Sequence, residues 1–277
     1  MGVLDSFQRR ELATDGGFIR LHHHKPPHAQ GRPVVFAPGF SAPVEVWEEA
    51  FEPLAGRVEL VVVETLEKGT TRYEGGPLHP SALARQLGQA LEGLEQPVLL
   101  AASWLGTSLL QGAADGSLRA STMVAFDPLP VFWLPVFLPR WSLPLLPATL
   151  FGALRRPLTA LALAAMQDGK QKARFKAIVD SADPLRWKRA ALDALDVDLL
   201  DGRLRAVDQE LWVVNGADDP VHPAADLARI VDELPKGRLK RIDVHETVRE
   251  RFAGQVALAF ARVPPGVEPD WPDPGAL

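Results

Sequence analysis

The 277-residue chain contains no cysteine. Disulfides, thiolate metal sites and a cysteine nucleophile are therefore excluded. Positive charge is not in excess either. Thirty Lys and Arg against 35 Asp and Glu leave a formal charge of −5, which argues against a chain built to wrap nucleic acid. Long hydrophobic runs are also missing. The longest uncharged stretch, residues 96–114, is interrupted by Ser103, Thr107, Ser108, Gln111 and two glycines, so it reads as core and not as a transmembrane segment. Residues 1–14 are polar, with charges at Asp5, Arg9, Arg10 and Glu11 and no apolar centre of a signal peptide. The expected localisation is cytoplasmic.

What the chain does have is breakers, 25 prolines and 22 glycines. Seven prolines fall between Pro128 and Pro157 and five between Pro264 and Pro274, so about half mark two regions. Elsewhere short β runs alternate with helical patterns, the signature of an α/β sheet. Residues 10–14 and 18–22 flank Asp15-Gly16-Gly17, a hairpin signal. Apolar runs predict buried strands at 34–37, 58–63, 98–101 and 123–126. Helical spacing appears at 43–52, at 80–94 (Leu83, Leu87, Leu91, Leu94) and at 106–114. After Asp127-Pro128 the alternation stops for about eighty residues. It resumes with strands at 210–214 and 239–242 and helices at 223–234 and 247–263.

The predicted organisation is a sheet core formed by 1–127 and 208–262, an insertion at 128–207 and a Pro-rich tail at 263–277. The insertion is chemically one-sided in its first half. Residues 128–166 carry no acid, only Arg140, Arg155 and Arg156 as charges, and Phe132, Trp133, Phe137, Trp141 and Phe151 among many leucines. That composition suits a lid over an apolar pocket; the competing reading is ordinary core packed on the sheet.

In this frame the chain resembles the α/β-hydrolase fold family over roughly residues 10 to 262. Val34-Val35-Phe36-Ala37-Pro38-Gly39-Phe40 is similar to the strand and turn that often ends His-Gly-Phe, with Pro38 in the His place. By position that turn implies Phe40 as an oxyanion-hole N–H. Glu64–Thr71 resembles the acidic, glycine-containing loop after the next strand. Asn215-Gly216-Ala217-Asp218-Asp219-Pro220 resembles the loop of the triad acid, and Gly-x-x-Asp selects Asp219. His245 follows the last strand, 26 residues later, where the family's catalytic histidine sits. Elbow, acid and histidine come in the family's order. The resemblance implies an α/β fold with a mostly parallel central sheet flanked by helices and an inserted lid.

The nucleophile elbow reads in two registers. Ala101-Ala102-Ser103-Trp104-Leu105-Gly106 should contain small-x-Ser-x-small, because strand and helix approach across a sharp turn. Centred on Ser103, the flanks are Ala101 and Leu105, and Leu105 is bulky. Centred on Trp104, they are Ala102 and Gly106, both small. Spacing alone favours the second register, which puts an indole without a nucleophilic oxygen in the serine slot. The first register gives a Ser103–His245–Asp219 triad, with N–H groups of Phe40 and Trp104 holding the oxyanion. Its expected activity is hydrolysis of an ester or related acyl bond in a hydrophobic small molecule. The second gives a degenerate, non-hydrolytic relative that binds an apolar ligand. Ser41 and Ser108 read as a cap or helix-face hydroxyl.

No metal or cofactor is expected. His22, His23 and His24 are consecutive on a predicted strand and point to alternating faces, so they do not form a ligand set. His222 reads as a residue at a helix start. Glu74-Gly75-Gly76-Pro77 lacks the Lys-Ser/Thr of a phosphate loop. Lys170, Lys172, Arg174 and Lys176 are spread around a helix as a solvated surface. The expected partner is a hydrophobic small molecule, with no nucleic acid and no membrane span.

Overall fold

The computed structural model describes residues 2–130, 140–145, 147–165, 168–216, 224–242 and 248–276. Strands β1 (Gln8–Thr14) and β2 (Gly17–His24) form the expected antiparallel hairpin, paired from Gln8–His23 to Thr14–Gly17. They are followed by β3 (Val34–Ala37), α1 (Glu48–Ala55), β4 (Leu60–Glu64), β5 (Arg72–Tyr73), α2 (Pro80–Leu91), β6 (Val98–Ala102), α3 (Trp104–Ala114) and β7 (Thr122–Phe126). Helices α4 (Ala148–Ala165), α5 (Gly169–Ser181) and α6 (Pro184–Ala194) lie between β7 and β8 (Leu211–Gly216). The order closes with α7 (Ala224–Glu233), β9 (Gly237–Ile242) and α8 (Arg249–Ala261).

Among the described residues the sheet has nine strands, in the order β1-β2-β4-β3-β6-β7-β8-β9, with β5 added beside β2. From β4 to β9 every pairing is parallel. The two-residue β5 has no counterpart among the predicted strands. It pairs Arg72 with Phe18, and the Arg72 guanidinium lies 3.5 Å from the Phe18 ring centre. Such a strand is too short to show a period of two.

The continuous apolar runs follow from burial on both faces. Val35, Ala37, Leu99, Ala101, Met123 and Ala125 enter one core with α2, α3 and α7. Their alternate neighbours Val34, Phe36, Val98, Leu100, Val124 and Phe126 enter a second core with α1 and α8. Phe36 and Phe51 meet edge to face, with centres 5.4 Å apart. The tail has little regular structure, yet Trp271 packs on Trp212 and Phe260, with ring centres 5.4 and 5.6 Å away.

In the insertion, α4 packs on α5 and α6. Of the apolar segment singled out in sequence, 131–139 lies outside the described residues. No helix among the described residues is long and apolar enough to cross a membrane.

Helices α1 and α8 cross closely because of Gly254. A Cβ there would stand 2.0 Å from the Ala50 carbonyl oxygen, which is backbone and cannot swing aside. Gly254→Ala is expected to destabilise the protein by about 2 kcal/mol or more in urea unfolding, with an unchanged slope of the transition.

Candidate active site

The parallel strands deliver their C-terminal ends to one edge, where open α/β sheets place ligands. Strand β6 keeps its ladder through Ala102, opposite Phe126, and α3 begins at Trp104. The reversal is made by Ser103 alone, at φ 51° and ψ −124°. The elbow is thus centred on Ser103, and the register that put Trp104 at the apex is corrected. A positive φ is costlier for a bulky aromatic than for serine. Trp104 instead opens the helix, with its side chain buried in the first core.

Spacing misleads at Leu105. That side chain is fully buried among the apolar residues on the α2–α3 side of the sheet. The close approach falls one residue later, at Gly106, where a Cβ would lie 3.0 Å from the Ala101 carbonyl and 3.3 Å from Pro128 Cβ. The need for a small residue is real, but it is met three positions after the serine and not two.

The elbow is bolted to its neighbours. Ser103 N–H donates to the Phe126 carbonyl (2.8 Å), and the Ser103 carbonyl accepts the first helical bond from Thr107 N–H (3.1 Å). Thr107 Oγ1 donates to the Leu129 carbonyl and accepts from Leu129 N–H, at 2.7 and 2.9 Å. Ser108 Oγ donates to the Trp104 carbonyl, as a helix-face hydroxyl does.

Beside the elbow lies the turn after β3. A Cβ built on Gly39 would be 3.4 Å from Ser103 Cβ, so the turn carrying Phe40 touches the apex. Phe40 is half-buried, with its ring 6.0 Å from that of Trp187 of α6. Among the described residues its N–H has no acceptor. Ser41 also has a positive φ, 51°. It is a turn residue and not a cap: its Oγ accepts from Trp187 Nε1, and its carbonyl accepts from Ser181 Oγ at 3.3 Å.

Behind the turn is a buried polar group that sequence reasoning missed. Lys68, Glu67, Glu64 and His22 are all almost fully buried. His22 Nε2 lies 2.8 Å from Glu64 Oε2, and Thr70 Oγ1 donates to Glu64 Oε1. Burial alone would raise the Glu64 carboxyl; the bonds from His22 and Thr70 and the charges of His22 and Arg20 outweigh it and hold it below the usual range. Burial pushes the Lys68 amine below its usual value, against the pull of Glu67. His23 and His24, on the same strand, go elsewhere, to Glu59 (2.9 Å) and onto the Phe7 ring (5.1 Å).

In sequence Asp127 marks only the end of β7. In the fold it is fully buried, at φ 47°, and its carboxylate accepts from Asn215 Nδ2 (3.0 Å) and Arg249 Nε (3.0 Å). It therefore ties β8 and the start of α8 to the elbow's neighbouring strand. A signal exists in the adjacent Pro128, since a strand ending in Asp-Pro must turn at once. Asp219 and His245, the expected acid and base, lie outside the described residues. Asn215 and Arg249 frame the segments that carry them.

The inserted helices are fastened around this edge. Arg186 of α6 donates to the carbonyls of Leu66 (3.2 Å), Lys68 and Thr71 (2.7 Å). Arg174 of α5 pairs with buried Glu250 of α8 and lies 5.6 Å from the Trp47 ring centre. Burial pushes the Glu250 carboxyl up, opposed by Arg174 and Arg249. The basic run thus is not wholly a solvated surface, because Arg174 turns inward.

Similar solved structures identify this architecture. An esterase from Exiguobacterium antarcticum superposes with a TM-score of 0.72 at 18% identity, over 95% of this chain and 100% of its own. The chain has the α/β-hydrolase fold. A hydrolase from Pseudomonas aeruginosa matches with a TM-score of 0.71 at 16% identity, over 91% and 98% of the two chains. A thermophilic esterase from Thermogutta terrifontis matches with a TM-score of 0.68 at 17% identity, over 91% and 96%. No protein-family model and no curated protein sequence matches the chain.

The geometry has two consequences for stability. Ser103→Gly relieves the positive φ and should raise stability by about 1 kcal/mol in chemical denaturation. The lowered Glu64 carboxyl stabilises the fold above about pH 4.3, the ordinary glutamate value, and that contribution is lost as pH falls through its lower folded value. The stability gap between wild type and Glu64→Gln should be full near pH 6 and shrink towards pH 3. A gap that stays constant across that range would contradict it.

Proposed function

We propose that the protein is a serine hydrolase that cleaves an ester or related acyl bond in a hydrophobic small molecule, with Ser103 as nucleophile. The observation that carries the proposal is the backbone of Ser103, a strained single-residue turn between strand and helix beside the Phe40 turn. Strain of this kind is kept where it presents a side chain for function. The similar structures support the reading by their own descriptions, which include esterases, an enol-lactonase and a thioesterase domain.

In this mechanism His245 takes the proton of Ser103 Oγ as the oxygen attacks the acyl carbonyl. Asp219 orients the imidazole and stabilises its cation. The N–H groups of Phe40 and Trp104 hold the negative oxygen of the tetrahedral intermediate. As that intermediate collapses, the leaving oxygen takes the proton from His245 and Ser103 is left acylated. Water, deprotonated by His245, then attacks the acyl-enzyme, and the proton returns to Ser103 Oγ as the acid departs. No metal or cofactor enters these steps. The acid-free composition of 128–166 supports an apolar substrate, and α6, fastened to the turn through Trp187 and to the neighbouring loop through Arg186 with α4 packed on it, supports a lid role. The same proposal takes the setting as cytoplasmic. The competing reading, a non-hydrolytic ligand binder, rests on Trp104 in the serine slot and Pro38 in the His place; the positive φ at Ser103 supports the hydrolase reading over it.

Treatment with a fluorophosphonate probe should label the wild type and leave Ser103→Ala unlabelled. Hydrolysis of p-nitrophenyl butyrate should fall at least about 10³-fold in Ser103→Ala and in His245→Ala. A folded wild type that neither labels nor turns over these esters would sink the proposal.

A further inference from the structure

We propose that Lys68 is a positioning residue for the oxyanion site, holding the Phe40 turn in its working orientation from behind. The inference rests on the hydrolase reading and adds a residue that the triad does not include.

The side chain of Lys68 is 1% exposed, a costly place for an ammonium group. Its surroundings show what it does there. Lys68 Nζ donates to the Pro38 carbonyl at 3.0 Å and to the Gly39 carbonyl, and its distance to Glu67 Oε1 is 3.2 Å. An ammonium has three donors; its two hydrogen bonds go to backbone oxygens of a single turn, and Glu67 Oε1 faces it as an ion-pair partner. Glu67, fully buried, supplies the counter-charge and is itself held by Thr65 Oγ1.

Peptide planarity carries the effect across the turn. In a trans peptide the C=O and the following N–H point in opposite directions. Fixing the carbonyls of Pro38 and Gly39 towards Lys68 therefore fixes the N–H groups of Gly39 and Phe40 away from it. Gly39 faces the elbow on the other side, within 3.4 Å of Ser103 Cβ for a built Cβ. The Gly39 carbonyl also accepts from Ala42 N–H at 3.1 Å, so its direction is set twice. The turn needs such a hold, because Ser41 sits at φ 51° and the loop would gain by relaxing. The lysine is anchored in turn: Arg186 grips the backbone of residues 66, 68 and 71. A donor waiting for charge that develops only in the transition state is effective to the degree that it is already oriented.

The test compares Lys68→Met with wild type. On p-nitrophenyl butyrate, kcat should fall about 30- to 100-fold while KM changes less than about threefold, a smaller loss than the hundredfold or more expected for deleting a donor outright. Affinity for an alkylboronic acid, which forms a tetrahedral adduct on the serine, should fall by the same factor as kcat. Lys68→Arg, which keeps donors on the two carbonyls, should recover part of both. A merely structural lysine would lower the melting temperature and leave kcat and boronate affinity of the folded protein alone, and that result overturns the inference. If Lys68→Met does not fold, a crystal structure of the phosphonylated wild type decides. The phosphoryl oxygen should accept from Phe40 N–H while Lys68 Nζ remains on Pro38 and Gly39; an oxygen bound elsewhere, or a displaced Nζ, overturns it. A wild type without labelling or turnover removes the hydrolase reading and this inference together. A wild type that is active, with Lys68→Met equally active, removes only this one.

Discussion

The chain reverses from strand to helix in one residue, and the site is arranged around that constraint. Ser103 can hold a positive φ because its N–H is paired to β7 and its carbonyl to the first turn of α3, so relaxing the backbone would break both bonds. The strain is offset by neighbours that cannot move. Gly106 lets the helix sit on the strand end, and Thr107 fastens the turn after Asp127. Asp127 in turn holds Asn215 and Arg249, so the ends of β7 and β8 and the start of α8 are tied to one carboxylate. The elbow is therefore an outcome of the whole sheet edge and not of a five-residue motif.

A second layer of constraint is electrostatic. The loop after β4 buries Glu64, Glu67 and Lys68 within a few residues of one another, where isolated charges would be expensive. Each is paired or hydrogen-bonded, and the pairs point outward to the hairpin through His22 and inward to the Pro38-Gly39 turn through Lys68. Arg186 closes the same loop from the inserted helices. The insertion is thus coupled to the site by named bonds, with Trp187 on Ser41 and Arg174 on Glu250 as further fasteners. Moving α5 or α6 would load the Phe40 turn directly.

Much of this architecture is legible in the amino-acid order. The strand runs at 34–37, 98–101 and 123–126 are found within a residue of their predicted ends, because strands buried on both faces must be apolar at every position. Helix α2 ends three residues short of its leucine pattern: its leucines mark a face, but Gly93 and Leu94 lie past the turn. The elbow is legible as a place but not as a register. Small residues on either side of Trp104 imitate the motif, and nothing local says that Leu105 can escape into the core. Lys68 and Asp127 are invisible as site residues, since a lysine and an aspartate in loops ordinarily face water.

The sequence by itself determined which segments lie inside and in what order they follow, because burial on two faces writes itself into composition and period. It also determined that no thiol chemistry is available. Only the tertiary structure decided which residue stands at the apex, which glycine carries the close approach and which charges are taken out of water. Those outcomes depend on distances between segments far apart in the chain, and a sum of local preferences does not contain them.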